Sequence, residues 1–273
     1  MMVSKIQKAL DKARILSNLE AKRRGLWSRN AAPDVAYLPA EGLIGERTPE
    51  ETLLDKLALT ERRIIYSEMQ DSATLNIFRD LGTRLLQREE RTSFAVMISS
   101  VVPGGGGSFV ALNYAAALGL ITGQTLLIDC NIRTSDSVQG LAPAADFGLF
   151  DYLDREDLNP PDIVYRTGVS GLQLVPALGR KSKVPKQGGI SSVKMSLLLS
   201  EFKQRKREFY VVLDAPTATT QLADIRVLSQ LCDYSILVVP YGKADETQIQ
   251  TASGAIAKEK LLGVIFNEGQ IPG

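Results

Sequence analysis

Histidine is missing from the 273 residues, and only two cysteines, Cys130 and Cys232, are present. The first absence removes the commonest general base and the commonest zinc ligand. Both cysteines lie in or beside apolar runs, so they are expected to be buried thiols that form no disulfide framework. These absences exclude histidine-based catalysis and favour a reducing compartment.

Long hydrophobic runs are also missing. No apolar run reaches the roughly 20 residues of a membrane span, and the basic N-terminus has no apolar signal core. The formal net charge is only +1, which gives no overall attraction to nucleic acid. The sequence therefore predicts a cytoplasmic protein that binds no nucleic acid.

Three regions are predicted along the chain. Residues 1–30 predict a basic amphipathic helix, because apolar residues recur at spacings of three and four from Ser4 to about Arg24. This helix docks on its own domain or on a partner, the interpretation we favour, or rests on an anionic membrane surface. Residues 31–70 predict a linker with a short helix at about 50–59. Residues 71–273 predict a separate domain.

Short apolar runs alternate with helical patterns in this third region. Near-continuous Val, Ile and Leu strands indicate a parallel sheet that is covered on both faces. The predicted fold class is α/β, a doubly wound, mostly parallel sheet of the P-loop NTPase type with an N-terminal helical extension. Strands are predicted at 94–100, 125–129, 172–176, 209–214, 235–240 and 261–267, and helices at 72–88, 110–120, 191–205, 223–231 and 244–258.

Polar residues and glycines follow four of the strands at their carboxyl ends, where open α/β sheets bind ligands. A single glycine loop would be weak evidence, but four strand ends agree. The candidates are Ser99, Ser100 and the glycine run Gly104, Gly105, Gly106 and Gly107 with Ser108; Asp129 with Asn131 and Arg133; Asp214; and Asn267.

The order and spacing of these motifs resemble the cytoplasmic module of the bacterial tyrosine kinases (BY-kinases) of capsule and exopolysaccharide synthesis, which are relatives of the ParA/MinD ATPases. Residues 99–109 read SSVVPGGGGSF, where the family has SSxxPGEGKST. Residues 126–133 read LLIDCNIR and resemble the second motif, Asp-x-Asp-x-Arg after apolar residues. Residues 211–216 read VVLDAP and resemble the third, Asp-x-Pro. The resemblance covers about residues 75–268.

The resemblance implies a site for ATP or ADP with Mg²⁺. Alternatives from the residues alone stay open: the glycine run as a flexible turn, the two aspartates as structural carboxylates, Arg133 as an ion-pair partner, and Asn267 as a turn residue. The implied nucleotide contacts are Gly104, Gly105, Gly106, Gly107, Ser108, Phe109, Arg133 and Asn267. The implied Mg²⁺ ligands are Ser108, Asp129 and Asp214. The two aspartates are also implied to be vestigial catalytic residues.

Several positions depart from the family pattern. The family's lysine becomes Gly107, its second carboxylate becomes Asn131, and a threonine becomes Phe109. Of the assembly motif Glu-x-x-Arg-x-x-Arg only Arg79 remains, and the tyrosine-rich tail has no counterpart. Losing one preorganised charge costs roughly 10²–10³ in rate. We therefore expect impaired phosphoryl transfer, with weak nucleotide binding or none.

These observations lead to the hypothesis of a kinase-like, catalytically impaired regulatory protein in exopolysaccharide or capsule synthesis and export. The resemblance implies self-association and, as partner, the cytoplasmic segment of a membrane polysaccharide co-polymerase, which would hold the protein at the inner membrane. One alternative is an active tyrosine autokinase or ATPase of the same pathway. Another is a ParA/MinD-like positioning ATPase, although Val102 occupies the place of that class's early lysine.

Overall fold

The structure is a computed structural model that describes residues 54–69, 72–88, 93–132, 138, 140–182, 189–203 and 209–267. The predicted basic helix at residues 4–24 and the linker at 25–49 lie outside these residues. Arg133, a predicted nucleotide contact, lies outside them as well. None of the described helices is both long enough and apolar enough to cross a membrane.

Helices and strands alternate through the described residues. The helices are α1 (Lys56–Glu61), α2 (Ser72–Arg88), α3 (Gly107–Thr122), α4 (Leu149–Asp154), α5 (Val193–Lys203), α6 (Leu222–Leu231) and α7 (Glu246–Gly254). The strands are β1 (Ser93–Ser100), β2 (Thr125–Asp129), β3 (Tyr165–Arg166), β4 (Leu172–Val175), β5 (Phe209–Asp214), β6 (Tyr234–Pro240) and β7 (Leu261–Asn267).

The seven strands form one sheet in the order β3-β4-β2-β5-β1-β6-β7. Every neighbouring pair is parallel except β3 with β4, which is antiparallel. The predicted α/β class with a mostly parallel, doubly wound sheet is confirmed. The order also places β1 between β5 and β6, so the loops that follow these strands meet at the centre of one sheet edge.

Two apolar clusters lie on opposite faces of the sheet. One joins the strands to α2 and α3 and includes Phe78, Leu85 and Tyr114. The other joins them to α5 and α6 and includes Phe202 and Leu228. Because the central strands face apolar residues on both sides, β1, β2 and β5 are buried over almost their whole length. Both cysteines are buried and free, as predicted.

Some helix boundaries differ from the predictions because capping residues set them. The short helix predicted at about 50–59 is observed at Lys56–Glu61, where the Asp55 carboxylate accepts a hydrogen bond from Ala58 N at 2.8 Å. The last helix begins at Glu246 rather than at 244, because Asp245 and Gln248 form a capping box at its start, and it ends at Gly254 rather than at 258. The predicted helix at 191–205 begins only at Val193, after a turn of 3₁₀ helix.

Candidate functional site

The glycine loop connects β1 to α3, so the predicted order of strand, glycine loop and helix is confirmed. Gly104 and Gly106 have φ angles of 68° and 84°, a left-handed conformation that favours glycine. Gly105 N donates to Val102 O at 3.2 Å, and Gly106 O accepts from Val110 N at 3.0 Å. These bonds close the loop and begin the helix, whose first N–H groups have no intrahelical acceptor.

The loop lies against the end of β1. The Ser100 hydroxyl donates to Val102 O at 2.8 Å and therefore sits beneath the loop. A Cβ atom added at Gly105 would lie 2.0 Å from Ser100 Oγ, and one added at Gly107 would lie 2.8 Å from Ser100 N. The second contact is with backbone, which moves only at a cost. A side chain at position 107, including the family's lysine, would therefore require the backbone at Ser100 or the loop to shift.

Asn267 closes the loop from the other side. Its Nδ2 atom donates to Gly105 O at 3.2 Å, and a Cβ atom added at Gly106 would lie 2.0 Å from the same Nδ2. Asn267 O accepts from Tyr241 N at 2.8 Å. Asn267 is therefore the last residue of a strand and contacts the glycine loop. The predicted adenine contact stays a prediction.

Two aspartates lie side by side at the centre of the site. Asp129 ends β2 and Asp214 ends β5, and the two residues are paired in register across these parallel strands. Both are buried, at 0% and 2% exposure. Asp129 Oδ1 accepts from Asn131 N at 2.8 Å. Within the described residues, Asp129 Oδ2 and Asp214 Oδ1 have no hydrogen-bond partner.

The electrostatics of this pair follow from burial without a counter-charge. Burial raises the pKa of Asp129 to about 7, against a smaller opposing effect of backbone hydrogen bonds. The pKa of Asp214 is raised well above its ordinary value by burial and then by the charge of Asp129, and a hydrogen bond with the Ser108 side chain offsets part of this rise. A cation close to both carboxylates would favour their ionised forms.

These residues fit the magnesium ion that the family pattern implies. Mg²⁺ keeps several waters and needs only one or two protein carboxylates. Ser108, Asp129 and Asp214 are brought together, as predicted, and the two orphaned carboxylate oxygens are suitable ligands. The described part of the chain contains no group of three or more Cys, Asp or Glu residues that could hold a metal ion.

The segment that contains the loop carries no positively charged side chain of its own. Residues 92–132, which span β1, the glycine loop, α3 and β2, contain neither lysine nor arginine. The backbone N–H groups of the loop and of the first turn of α3 can donate to a phosphate, and the helix dipole favours an anion there. Residues 92–132 thus offer a phosphate partial charges in place of a full one.

Two more polar residues hold the loop and helix in place. The Ser99 hydroxyl donates to Pro216 O at 2.6 Å and ties β1 to the segment after β5. Asn113 accepts from Ile65 N through Oδ1 at 2.9 Å and donates to Phe109 O through Nδ2 at 3.1 Å. Phe109 itself is partly buried and packs against the apolar cluster that contains α3. Its predicted nucleotide contact stays a prediction.

The turn after β6 also belongs to the site, and sequence reasoning missed it. Tyr241 N contacts Asn267 O, and Pro240 Cδ lies 3.1 Å from the position of a Cβ atom at Gly105. Its location after a predicted central strand was the available signal. Gly242, with a φ angle of 70°, lies in the same turn and was a second signal, which the sequence analysis did not use.

Comparison with known proteins shows several bacterial tyrosine kinases among the relatives, while no protein-family model matches. The tyrosine-protein kinase YwqD of Bacillus subtilis is 29% identical over 221 residues, which cover 77% of this chain and 84% of YwqD. The tyrosine-protein kinase CpsD of Streptococcus agalactiae is 27% identical over 217 residues, covering 77% and 89%. The solved VpsO kinase domain is 26% identical with a TM-score of 0.60, over 72% of this chain and 95% of that domain.

The homologues of this chain are thus bacterial tyrosine-protein kinases, and the solved structures that resemble it are BY-kinase domains. The succinoglycan biosynthesis transport protein ExoP of Rhizobium meliloti is 30% identical over 179 residues, or 64% of this chain. This chain spans only 22% of ExoP. The kinase domain of Escherichia coli ETK, at 19% identity and a TM-score of 0.62, agrees in fold. The MinD-like fold class predicted from the sequence is likewise confirmed.

Compared with the BY-kinase sequence pattern, the described site has some features unchanged and others altered. The strand–loop–helix order and the two strand-end aspartates are in place. Glycine occupies position 107, and asparagine occupies position 131. The site therefore has side chains suited to binding Mg²⁺, but residues 92–132 contribute no cationic side chain to it.

Proposed function

We propose that this BY-kinase homologue is a kinase-like regulatory protein of exopolysaccharide or capsule synthesis and export, in which phosphoryl transfer is impaired. The names of its relatives support the pathway, since they are tyrosine-protein kinases and a succinoglycan biosynthesis transport protein. The impairment is argued from the residues of the glycine loop.

The packing of Gly107 carries this proposal. In BY-kinases the corresponding lysine holds phosphate oxygens, and here a Cβ atom at that position would meet Ser100 N at 2.8 Å. Beyond the loss of the charge, a lysine stem at this position would require the loop or the end of β1 to shift. We interpret residues 103–108 as a degenerate Walker A motif.

The expected loss in the rate of phosphoryl transfer is large enough to support impaired catalysis. Removing one preorganised charge stabiliser costs roughly 10²–10³ in rate, and the site departs from the family at both Gly107 and Asn131. Asparagine cannot accept a proton as a carboxylate does. With no histidine anywhere in the chain, the usual replacement base is also missing.

Weak binding of Mg²⁺ with ATP or ADP remains part of the proposal. When bound, Mg²⁺ would neutralise phosphate charge and the two carboxylates together. Ser108, Asp129 and Asp214 would hold it, and the loop backbone would donate to the phosphates. The flexibility of successive glycines lowers the affinity, because each costs about 0.5–1 kcal/mol of order.

We further propose that the protein works through contact with the cytoplasmic segment of a membrane polysaccharide co-polymerase, which holds it at the inner membrane. Residues 1–30 would form a basic docking helix, residues 31–70 a linker, and residues 71–273 the kinase-like domain. Support comes from the relation to ExoP, a transport protein. Co-purification with that segment, lost when residues 1–30 are removed, tests this part.

ATP turnover measured on the full chain tests the impairment, with Asp214→Ala as the matched control. The proposal predicts a rate at background that this substitution does not change. Calorimetric titration with Mg-ATP and Mg-ADP measures binding separately. Turnover that Asp214→Ala abolishes would overturn the proposal of impaired catalysis.

An active tyrosine autokinase or ATPase is the second candidate. The orphaned carboxylate oxygens of Asp129 and Asp214 favour it, because a site without a function has no need to keep two buried acids together. This candidate needs a lysine from elsewhere. The third candidate, a ParA/MinD-like positioning ATPase, predicts nucleotide-dependent dimerisation, which light scattering measures.

A further inference from the structure

Strand β7 ends the sheet and is poorly covered. It pairs with β6 on one side, and none of the described residues pairs with its other edge. None of its seven residues is fully buried, and Phe266 is 48% exposed. The central strands, by contrast, are buried almost throughout. An apolar strand in this position exposes both backbone groups and side chains.

The direction of the backbone groups along β7 follows from one hydrogen bond. Asn267 O points toward β6, because it accepts from Tyr241 N. Neighbouring residues of a strand direct their N–H and C=O groups to opposite edges. Val264 and Phe266 therefore direct theirs outward. A register irregularity opposite Ser235 and Ile236 interrupts the start of the strand, so the regular edge is residues 263–267.

This edge lacks the features that usually prevent pairing. Edge strands of natural proteins commonly carry charged residues, prolines or strong bulges along the exposed edge. Leu261–Asn267 reads LLGVIFN, which has no charge and no proline. The only protective feature is the irregularity before residue 263. The remaining edge is an open template for another extended strand.

We propose that two copies of this chain pair through β7, antiparallel about a two-fold axis, so that the sheet continues from one molecule into the other. Val264 of each copy then exchanges backbone hydrogen bonds with Phe266 of the second copy. Ile265 lies opposite its own equivalent on the axis. This arrangement satisfies all four outward groups of each strand.

Self-complementarity favours a second copy as the occupant. A two-fold axis places each residue of the strand beside or near the same residue of the second copy. In a charged strand this would bring like charges together, but Leu261–Asn267 carries no charge and so meets no such repulsion. The pairing also places each exposed Phe266 ring on Val264 of the other copy, an aromatic–β-branched pair. Because five residues bury less than the roughly 1,200 Å² of a standard interface, the dimer is expected to be weak and concentration-dependent.

Sedimentation equilibrium of the full chain over a wide concentration range tests the pairing. We expect a monomer–dimer equilibrium that Phe266→Lys weakens at least tenfold, because the ammonium group replaces the ring at the contact. Val193→Lys is the matched control: it adds the same charge at a residue of α5 that is 76% exposed, and it should leave the equilibrium unchanged. Association that Phe266→Lys does not weaken would overturn the proposal.

Disulfide trapping tests the register independently. Ile265→Cys places two thiols in a non-hydrogen-bonded antiparallel pair, where Cα atoms lie about 4.5 Å apart, within the range of a disulfide. Oxidation should give a covalent dimer, and Val193→Cys should not. The native Cys130 and Cys232 are buried and contribute little background. A chain that is monomeric at every concentration and forms no Ile265→Cys dimer contradicts the proposal and assigns the edge to another extended segment.

Discussion

The sequence of four consecutive glycines predicts a flexible loop after β1. In the structure, however, three of these glycines pack closely against specific neighbours. Gly105 and Gly107 contact Ser100, and Gly106 contacts the Asn267 amide. In the folded protein the loop therefore has a defined conformation, although its glycines still raise the entropic cost of ordering it. Gly105, Gly106 and Gly107 each lack room for a Cβ atom, whereas Gly104 is favoured by its φ angle of 68°.

Gly107→Ala should destabilise the protein by about 1–3 kcal/mol, because the new methyl group would meet the Ser100 backbone at 2.8 Å and the loop would have to shift. Urea unfolding measures the change. Gly254→Ala is the matched control, since a Cβ atom there meets nothing within 4 Å, and it should be neutral or slightly stabilising. Equal effects of the two substitutions would show that the loop is loose.

The buried carboxylates make stability depend on pH in a defined direction. Both folded-state pKa values are raised, so the native state binds more protons than the unfolded state once pH exceeds the ordinary carboxyl value near 4. Without Mg²⁺, the pair's contribution to stability therefore falls as pH rises from about 4 toward 7.

Asp214→Asn should remove most of this penalty. We expect the variant to be more stable than the wild type by about 1–3 kcal/mol at pH 7.5 without Mg²⁺, and by much less at pH 4.5. Thermal unfolding at the two pH values measures the difference. A gain that is the same at both pH values would mean that the carboxylates are not held near each other as described.

At the scale of elements, the segment 62–66 is fastened to the helix that begins at the glycine loop. Ile64 and Ile65 are buried at 1% and 0% exposure, and Ile65 N donates to Asn113 Oδ1 at 2.9 Å. Asn113 lies within α3 and is buried there. Its role in joining α3 to a segment 48 residues earlier depends on tertiary structure.

Asn113→Leu should cost about 1–3 kcal/mol, because a similarly shaped apolar side chain leaves the buried Ile65 N–H without an acceptor. Chemical denaturation measures the loss. Asn76→Leu serves as control, since Asn76 is exposed on α2. If both variants unfold at the same denaturant concentration, the Asn113 contact is not stabilising.

The strands of the sheet were predictable because central parallel strands are apolar on both faces, and β2, β5 and β7 begin and end at the predicted residues. The segment between β2 and β4 was not. The helix α4 has only six residues, and β3 has two and pairs antiparallel with β4. Elements this short have no measurable periodicity, so tertiary contacts decide them.

The candidate site was predictable to the level of strand ends, since topology brings these together in any sheet of this class. Asp129, Asp214 and Ser108 meet as predicted. The closing of the loop by Ser100 and Asn267, and the turn at 240–241, depend on side-chain positions that no local pattern contains. Arg133 lies outside the described residues.

At the scale of the whole molecule, a sheet like that of the BY-kinases supports a site that has Asp129 and Asp214 but has Asn131 in place of a carboxylate and no cationic side chain from residues 92–132. We propose that the protein acts by binding. Its contacts would then lie on surfaces other than the loop, including the β7 edge and the predicted basic helix at residues 4–24.

Self-labelling of the purified full chain with γ-³²P-ATP and Mg²⁺ tests this account most directly, beside an intact BY-kinase as positive control and Asp214→Ala as negative control. We predict incorporation at the level of Asp214→Ala, at least 10²-fold below the intact kinase. Labelling at a rate comparable with the intact kinase, and lost in Asp214→Ala, would contradict it.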